Sequence, residues 1–364
     1  MLMHEDILRQ ILYRLPLSDV NECKLLNKEC YSLISGPNFL ADRRRFLGDH
    51  AVVSIYGPDT QRLEVSCVRS RAERQPFFDT VDLPSYVAKY YSRQPVILGS
   101  FNGLIAVQYS YDDYMLWNPV MYSYIIYSGN RPSLTNDPVG VGLCYNRYLD
   151  EYLVIMVGSM RIGYTNWICV ELINLTTNRS KLVDVGPGHV IAGLYGVGNV
   201  VCGVPHWVRE NAGVNESCPS REVVYFDACR ESFNDLELPI IGSEDKYVVG
   251  LGSVDGQRQL SVVFQHLNRP DCVDVWIMKD YGNIESWTFL ASVATLTVQD
   301  KHLEYVNVIG LKAGEIWVNH VLLPEVDGVL KFAAYVLKNA KLSTVSLSAD
   351  GGSVFNITYY EPIF

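Results

Sequence analysis

Few residues in this chain have the types and spacing that chemistry demands. His206 stands beside Trp207, where an imidazole could serve as a base or a ligand. No second His, Cys or carboxylate lies at metal-ligand spacing from it, so a hydrogen-bonded structural histidine is expected. Cysteines occupy positions 23, 30, 67, 144, 169, 202, 218, 229 and 272 without a CxxC pair, and several sit in apolar runs such as Val201-Cys202. That pattern predicts reduced, buried thiols and neither a disulfide framework nor a zinc site. Glycine pairs at 140/142, 186/188 and 196/198 never complete GxGxxG ahead of a helix, so they read as turns. P-loop, HExxH and GxSxG patterns are absent, and no cofactor or metal is expected.

Charge narrows the partners. Thirty Lys+Arg against forty Asp+Glu give a net charge of −10, which disfavours a phosphate backbone. The short run Arg43-Arg44-Arg45 reads as a solvated helix face. Residues 1–50 are balanced, with seven acidic and seven basic side chains, so the acid excess belongs to the rest of the chain and favours a basic partner surface. No run of eighteen apolar residues occurs and the first residues lack an apolar signal core, so neither a membrane span nor export is expected. Four glycosylation sequons, at Asn174, Asn178, Asn215 and Asn356, then read as chance matches. Reduced thiols and no export signal point to the cytoplasm or nucleus.

Two regions with different periods must position whatever does the work. Ile7, Leu8, Ile11, Leu12 and Leu15 fall on one face of a helix that Pro16 stops. Ser18 is placed to cap a second helix, along which Val20, Cys23, Leu26 and Cys30 continue. Gly36-Pro37 breaks the chain, and Asn38 to Phe46 can form one more short helix. A module this small is of marginal stability alone, which hints at a bound partner.

From about residue 51 the pattern changes to short aromatic and β-branched strands. A unit of strand, polar turn and strand recurs at 115–127, 170–182, 223–236, 273–290 and 332–345, with starts about 50 to 60 residues apart. Other strand segments lie between the copies, at 103–109, 152–157, 200–208, 260–264 and 316–322. Two hairpins per repeat make a four-stranded blade, and a ring of blades removes exposed sheet edges. A sixth blade would combine 51–55 or 63–67 with the last strand, 354–360. The expected fold is a small all-α module over 1–46 and a large all-β domain over 47–364, a closed β-propeller of about six blades. In such blades Trp117, Trp276 and Trp287 are expected in the core. Interaction residues are expected on long loops, with 157–167, 209–221 and 266–272 as candidates.

These residues resemble a known family. Glu5 to Leu17 and Leu26 to Phe39 resemble the two halves of an F-box. Downstream, Gly99 to Ile105, Leu116 to Pro119, Tyr145 to Val154, Pro205 to Trp207, Val273 to Gly282 and Glu285 to Trp287 are similar to the F-box-associated domain of plant F-box proteins. Two positions depart from the usual F-box: His4 stands where a proline is usual and Cys30 where a tryptophan is usual. The resemblance implies a substrate-recognition subunit of an SCF-type ubiquitin ligase. Its F-box would dock on a Skp adaptor, and through it on cullin and RING subunits, while the propeller captures an unknown protein substrate. Adaptor contact is then expected from Ile7, Leu8, Ile11, Leu12, Leu15, Pro16 and Leu17, with no catalytic residues. The alternatives are a binding propeller whose degenerate F-box joins no ligase, and an enzyme working in the propeller channel.

Overall fold

The computed structural model describes the backbone of residues 4–15, 17–36, 39, 50–56, 62–68, 77–82, 96–110, 113–118, 123–128, 139–162, 165–187, 194, 196–210, 221–239, 246–254 and 258–294. It also describes the strands at 305–312, 315–321, 331–336, 341–346 and 354–360, with side chains described chiefly within 5–36 and 96–292.

Three short helices open the chain: α1 (His4–Arg14), α2 (Leu17–Cys23) and α3 (Lys28–Ile34). α2 begins at Leu17, one residue before the expected Ser18 cap, so Ser18 lies inside its first turn. The expected run through Leu26 to Cys30 is broken as well. Asn27 is extended, its side chain accepts from the Cys30 N–H at 2.8 Å, and a separate helix starts there. Leu12, Val20, Cys30, Leu33, Ile34 and Phe39 close a small core. The helix expected over 38–46 lies outside the described residues except for Phe39.

The strands form six four-stranded units. β1 (His50–Tyr56), β2 (Arg62–Val68) and β3 (Phe77–Asp82) begin the first. β4 (Val96–Phe101), β5 (Leu104–Gln108), β6 (Asp113–Asn118) and β7 (Ser123–Ser128) make the second. The third holds β8 (Gly140–Asn146), β9 (Glu151–Ile162), β10 (Thr165–Asn174) and β11 (Arg179–Pro187), with the short β12 (Gly196–Val197) parallel to β8. The fourth is β13 (Asn199–Val201), β14 (Val204–Glu210), β15 (Arg221–Asp227) and β16 (Ser232–Leu236). β17 (Lys246–Val254), β18 (Gln259–His266), β19 (Arg269–Met278) and β20 (Trp287–Ala294) make the fifth, and β21 (Tyr305–Lys312), β22 (Glu315–Val321), β23 (Lys331–Val336) and β24 (Lys341–Ser346) the sixth. These last two join through β17 and β21 at Gly252 and Val308. β25 (Val354–Tyr360) returns to the first unit and pairs with β1, Ala51 opposite Tyr360. The sheet that both ends of the sequence were expected to build is therefore present, in the order β25-β1-β2-β3.

The leading strands touch in succession, β25 to β4, β4 to β8, β8 to β13, β13 to β17, β17 to β21 and β21 back to β25. Strands in such stacked units are covered on both faces, which explains their unbroken apolar runs. Val262 faces the fourth unit beside Val201 and Val223, whereas its neighbour Val263 packs with Val249 and Val275 on the other side. Trp117 is wholly interior, while Trp276 and Trp287 are half-buried against the layer between the fourth and fifth units. The Trp287 Nε1–H donates to the Glu237 carbonyl at 3.1 Å.

The recurring polar turns have a common mechanism. Asn146, Asn174 and Asp227 each accept, through a side-chain oxygen, from the N–H groups two and three residues on. Four residues after each, Asp150, Asn178 and Glu231 take positive φ between 53° and 56° and turn the chain back. The glycine pairs behave differently from the expectation of turns. Gly140 and Gly142 lie within β8, and a Cβ on Gly142 would meet Trp207 Cζ2 at 2.9 Å. A Cβ on Gly198 would meet Trp207 Cε2 at 2.6 Å, so glycine here seats the indole between the third and fourth units.

Candidate functional site

The helical module leaves part of its apolar surface outside its own core. On α1, Leu12, one of the residues expected at the adaptor contact, is 2% exposed and belongs to that core, one turn on from Leu8. Leu8 and Leu15 are half-buried against the same core. Ile7 and Ile11, one turn apart, are 48% and 52% exposed. Leu17 starts α2 with its side chain outside the described residues, and Pro16 lies outside them altogether. Leu25, Leu26 and Tyr31, around the α2–α3 connection, are 88%, 71% and 59% exposed. None of the three was singled out for contact. The available signal was Asn27, whose capping role ends the helical period and turns the two leucines out.

His206 is fully buried on β14. Its Nδ1 faces the carbonyls of Val204 at 2.9 Å and Asn199 at 3.3 Å, so it carries the proton, and Nε2 accepts from the Tyr281 hydroxyl at 2.9 Å. Burial holds its pKa down to about 4, against a smaller opposing effect of the two carbonyls. Burial likewise raises the Tyr281 hydroxyl far above the ordinary phenol range. Both ring nitrogens are engaged, which is the expected structural role.

A second polar cluster crosses the fifth unit. Asp274, 5% exposed, accepts from Lys246 Nζ at 2.7 Å and meets His266 Nε2 at 2.9 Å, while the Ser292 hydroxyl donates to its other oxygen. Burial opposes ionisation of Asp274, yet the hydrogen bonds from Lys246, Ser292 and His266 outweigh it and hold the carboxyl below its ordinary value. The serine is bonded to the carboxylate and not to the imidazole, so the set lacks the nucleophile–base pairing that acyl-transfer chemistry needs.

Above His206 and Tyr281 lies a cavity of about 780 Å³ between the third, fourth and fifth units. Tyr145, Tyr225 and Tyr281 give it aromatic walls, and Cys144, Cys202 and Met278 line it with sulfur. Burial pushes the Cys144 thiol up to about 12. Four turns meet around the cavity: β8–β9, β13–β14, β15–β16 and β19–β20. The candidate loops fall elsewhere, between the second and third strands of their units. Two of them are not loops: β9 and β10 pair out to Ile162 and Thr165, and β18 and β19 pair as far as His266 and Arg269. Residues 211–220 of the third lie outside the described residues.

Comparison with known proteins matches both regions. Residues 2–42 fit the F-box domain model, and residues 67–318 fit the model of the F-box associated beta propeller domain. An F-box/kelch-repeat protein of Arabidopsis thaliana is 23% identical over 306 residues, covering 80% of this chain and 79% of its own. F-box protein CPR1 of the same plant is 26% identical over 316 residues, covering 79% of this chain and 72% of its own. A second Arabidopsis F-box protein is 23% identical and spans 97% of this chain and 88% of its own. Among solved structures, one from a study of prolyl endopeptidases aligns over 95% of this chain and 57% of its own, at 10% identity and a TM-score of 0.39, a likeness too distant to bear on fold or chemistry. A helical module with outward apolar side chains, six four-stranded units in succession and both domain matches lead to one conclusion: the chain belongs to the plant F-box proteins that carry an F-box associated beta propeller domain.

Proposed function

We propose that this protein is the substrate-recognition subunit of an SCF-type ubiquitin ligase, acting in the cytoplasm or nucleus and contributing no catalytic group of its own. The observation that carries the reading is the pairing of a filled helical core with exposed Ile7, Ile11, Leu25, Leu26 and Tyr31 on so small a module. Core-filling side chains cannot also anchor a partner, whereas these five can, and burying one large apolar side chain contributes about 1.5–3 kcal/mol. Ile7 and Ile11, with half-buried Leu8 and Leu15 and with Pro16 and Leu17, would meet a Skp adaptor. Cullin and RING subunits would follow through that adaptor, and the propeller would hold the target protein.

Co-expression of the full chain with a Skp adaptor tests this. Wild type should copurify with the adaptor, and Ile7→Asp with Ile11→Asp should abolish the complex while the β signal in circular dichroism is kept. Leu15→Asp with Pro16→Ala should also release it. Recovery of folded wild type without adaptor would overturn the ligase reading and favour a binding propeller with a non-docking F-box.

A further inference from the structure

The cavity between the third and fifth units has the properties of a built recognition site. Its rim is held rigidly: Asn146 fixes the β8–β9 turn through the Tyr148 and Leu149 N–H groups, and the Tyr145 hydroxyl donates to Asp150 at 2.6 Å. On the β19–β20 side, the Ser286 hydroxyl bonds the carbonyls of Asp280 and Asn283. These braced turns nevertheless hold apolar groups in water, with Tyr148 73%, Leu149 64% and Ile284 45% exposed. Rigid aromatic and aliphatic groups around a concave site are the usual anchors of protein recognition.

Charge sets the chemistry of the occupant. Arg147 lies over the Tyr148 ring at 5.1 Å and donates to its hydroxyl, with no carboxylate in ion-pair reach among the described residues. Arg230, from the neighbouring β15–β16 turn, meets Asp227 only at 3.8 Å and is largely exposed. Of the acids that line the cavity, Asp227 is the one beside Arg230, Asp235 is engaged by Arg209 at 2.9 Å, and Glu237, just past the end of β16, stands exposed. Arg147 and Arg230 therefore stand on neighbouring turns, joined where Cys229 Sγ meets Asn146 Oδ1 at 3.8 Å, and Glu237 stands past the other end of β16, in a chain whose overall excess is acidic. The net charge acts at long range, but contact distance decides which group a bound segment must present.

Resting on the substrate-receptor reading above, we propose that this cavity is the capture site. It takes an aromatic or aliphatic side chain of the target protein, with an adjacent acidic residue seated against Arg147 and Arg230. Glu237, at the end of β16 away from the turn that carries Arg230, repels a second acid there and so fixes the direction of the segment.

The test uses the full chain bound to its adaptor and a displayed library of random dodecapeptides. Enriched peptides should carry an acid within two positions of an aromatic or aliphatic residue. Synthetic copies, measured by fluorescence polarisation, should bind Arg147→Glu and Tyr148→Ala at least about tenfold more weakly, a tenfold change being 1.4 kcal/mol. Exchanging the peptide's acid for lysine should restore binding to Arg147→Glu. Both positions are exposed, and adaptor copurification with unchanged circular dichroism checks that the variants fold. No enrichment, equal binding by wild type and both variants, or enriched basic peptides lost on Glu237→Lys would overturn the proposal. Loss of adaptor binding with peptide capture intact would instead count against the ligase reading alone.

Discussion

Replacing Gly198 with alanine tests the packing between the third and fourth units most directly. A glycine-to-alanine change usually stabilises by about 0.4–1 kcal/mol where the backbone tolerates it, because the unfolded chain loses freedom. Here the added Cβ would stand 2.6, 2.8 and 3.0 Å from Cε2, Cζ2 and Nε1 of Trp207. The indole is 2% exposed and tilted against Phe233 at 5.9 Å, so it has little room to withdraw. Over-packing of a filled core costs about 1–3 kcal/mol, so the net expectation is a loss of about 0.5–2 kcal/mol. Equilibrium urea unfolding followed by circular dichroism gives the value, repeated in a Trp207→Leu background where the clash is gone. There Gly198→Ala should be neutral or stabilising, giving a coupling of about 1–3 kcal/mol between the two sites. A Gly198→Ala protein as stable as wild type, or an equal loss in both backgrounds, would refute the seating of Trp207 on this glycine.

Three further outcomes follow from buried groups. Because the folded pKa of His206 lies near 4, below its ordinary 6.5, only the unfolded chain takes up this proton as the pH falls between these values. Urea unfolding at pH 7.5 and pH 5 should show a loss of about 2 kcal/mol that His206→Gln removes. Asp274→Ala strands the ammonium of Lys246 and should cost about 3–5 kcal/mol at neutral pH, read from the same unfolding curves. The Asp274 carboxyl is held below its ordinary 3.8, so its stabilisation is present above that pH and is lost only in more acid solution, a window separate from that of His206. Finally, iodoacetamide at neutral pH followed by peptide mass mapping should label exposed Cys229 first among the described cysteines and leave buried Cys30, Cys144 and Cys169 unmodified until the chain unfolds.

The repeating architecture was legible because covering a strand on both faces demands unbroken apolar runs, such as Tyr114 to Trp117 and Leu153 to Val157. The polar turns were legible because a side chain that bonds its own backbone needs only Asn or Asp at one position. Even the pairing of the last strand with the first could be argued, since both were left without partners in their own repeats. Interactions across units were not. That Gly142 and Gly198 make room for Trp207, rather than turns, depends on the β14 indole reaching back to β8 and the end of β12. The segments 157–167, with its glycines and aromatic residues, and 266–272 read as loops, yet their ladders continue to Ile162 and Thr165 and to His266 and Arg269. The cavity was the least legible feature, its lining being spread along the chain from Cys144 to Ile284. On the helical module, the face of α1 was visible in the period, but the division of Leu12 inward and Ile11 outward required the positions of α2 and α3.

The pairing of β1 with β25 also sets an order of events during synthesis. His50 to Tyr56 leaves the ribosome early, whereas the strand that completes its sheet is made about three hundred residues later. At about 5–20 residues per second, that delay lasts about 15–60 s, during which β1 offers an unpaired edge. The helical module is finished before any of the six units and is already present throughout this interval. A chain cut short anywhere between Ile34 and Val354 keeps its three helices but lacks the strand that covers β1, and so carries its own mark of incompleteness.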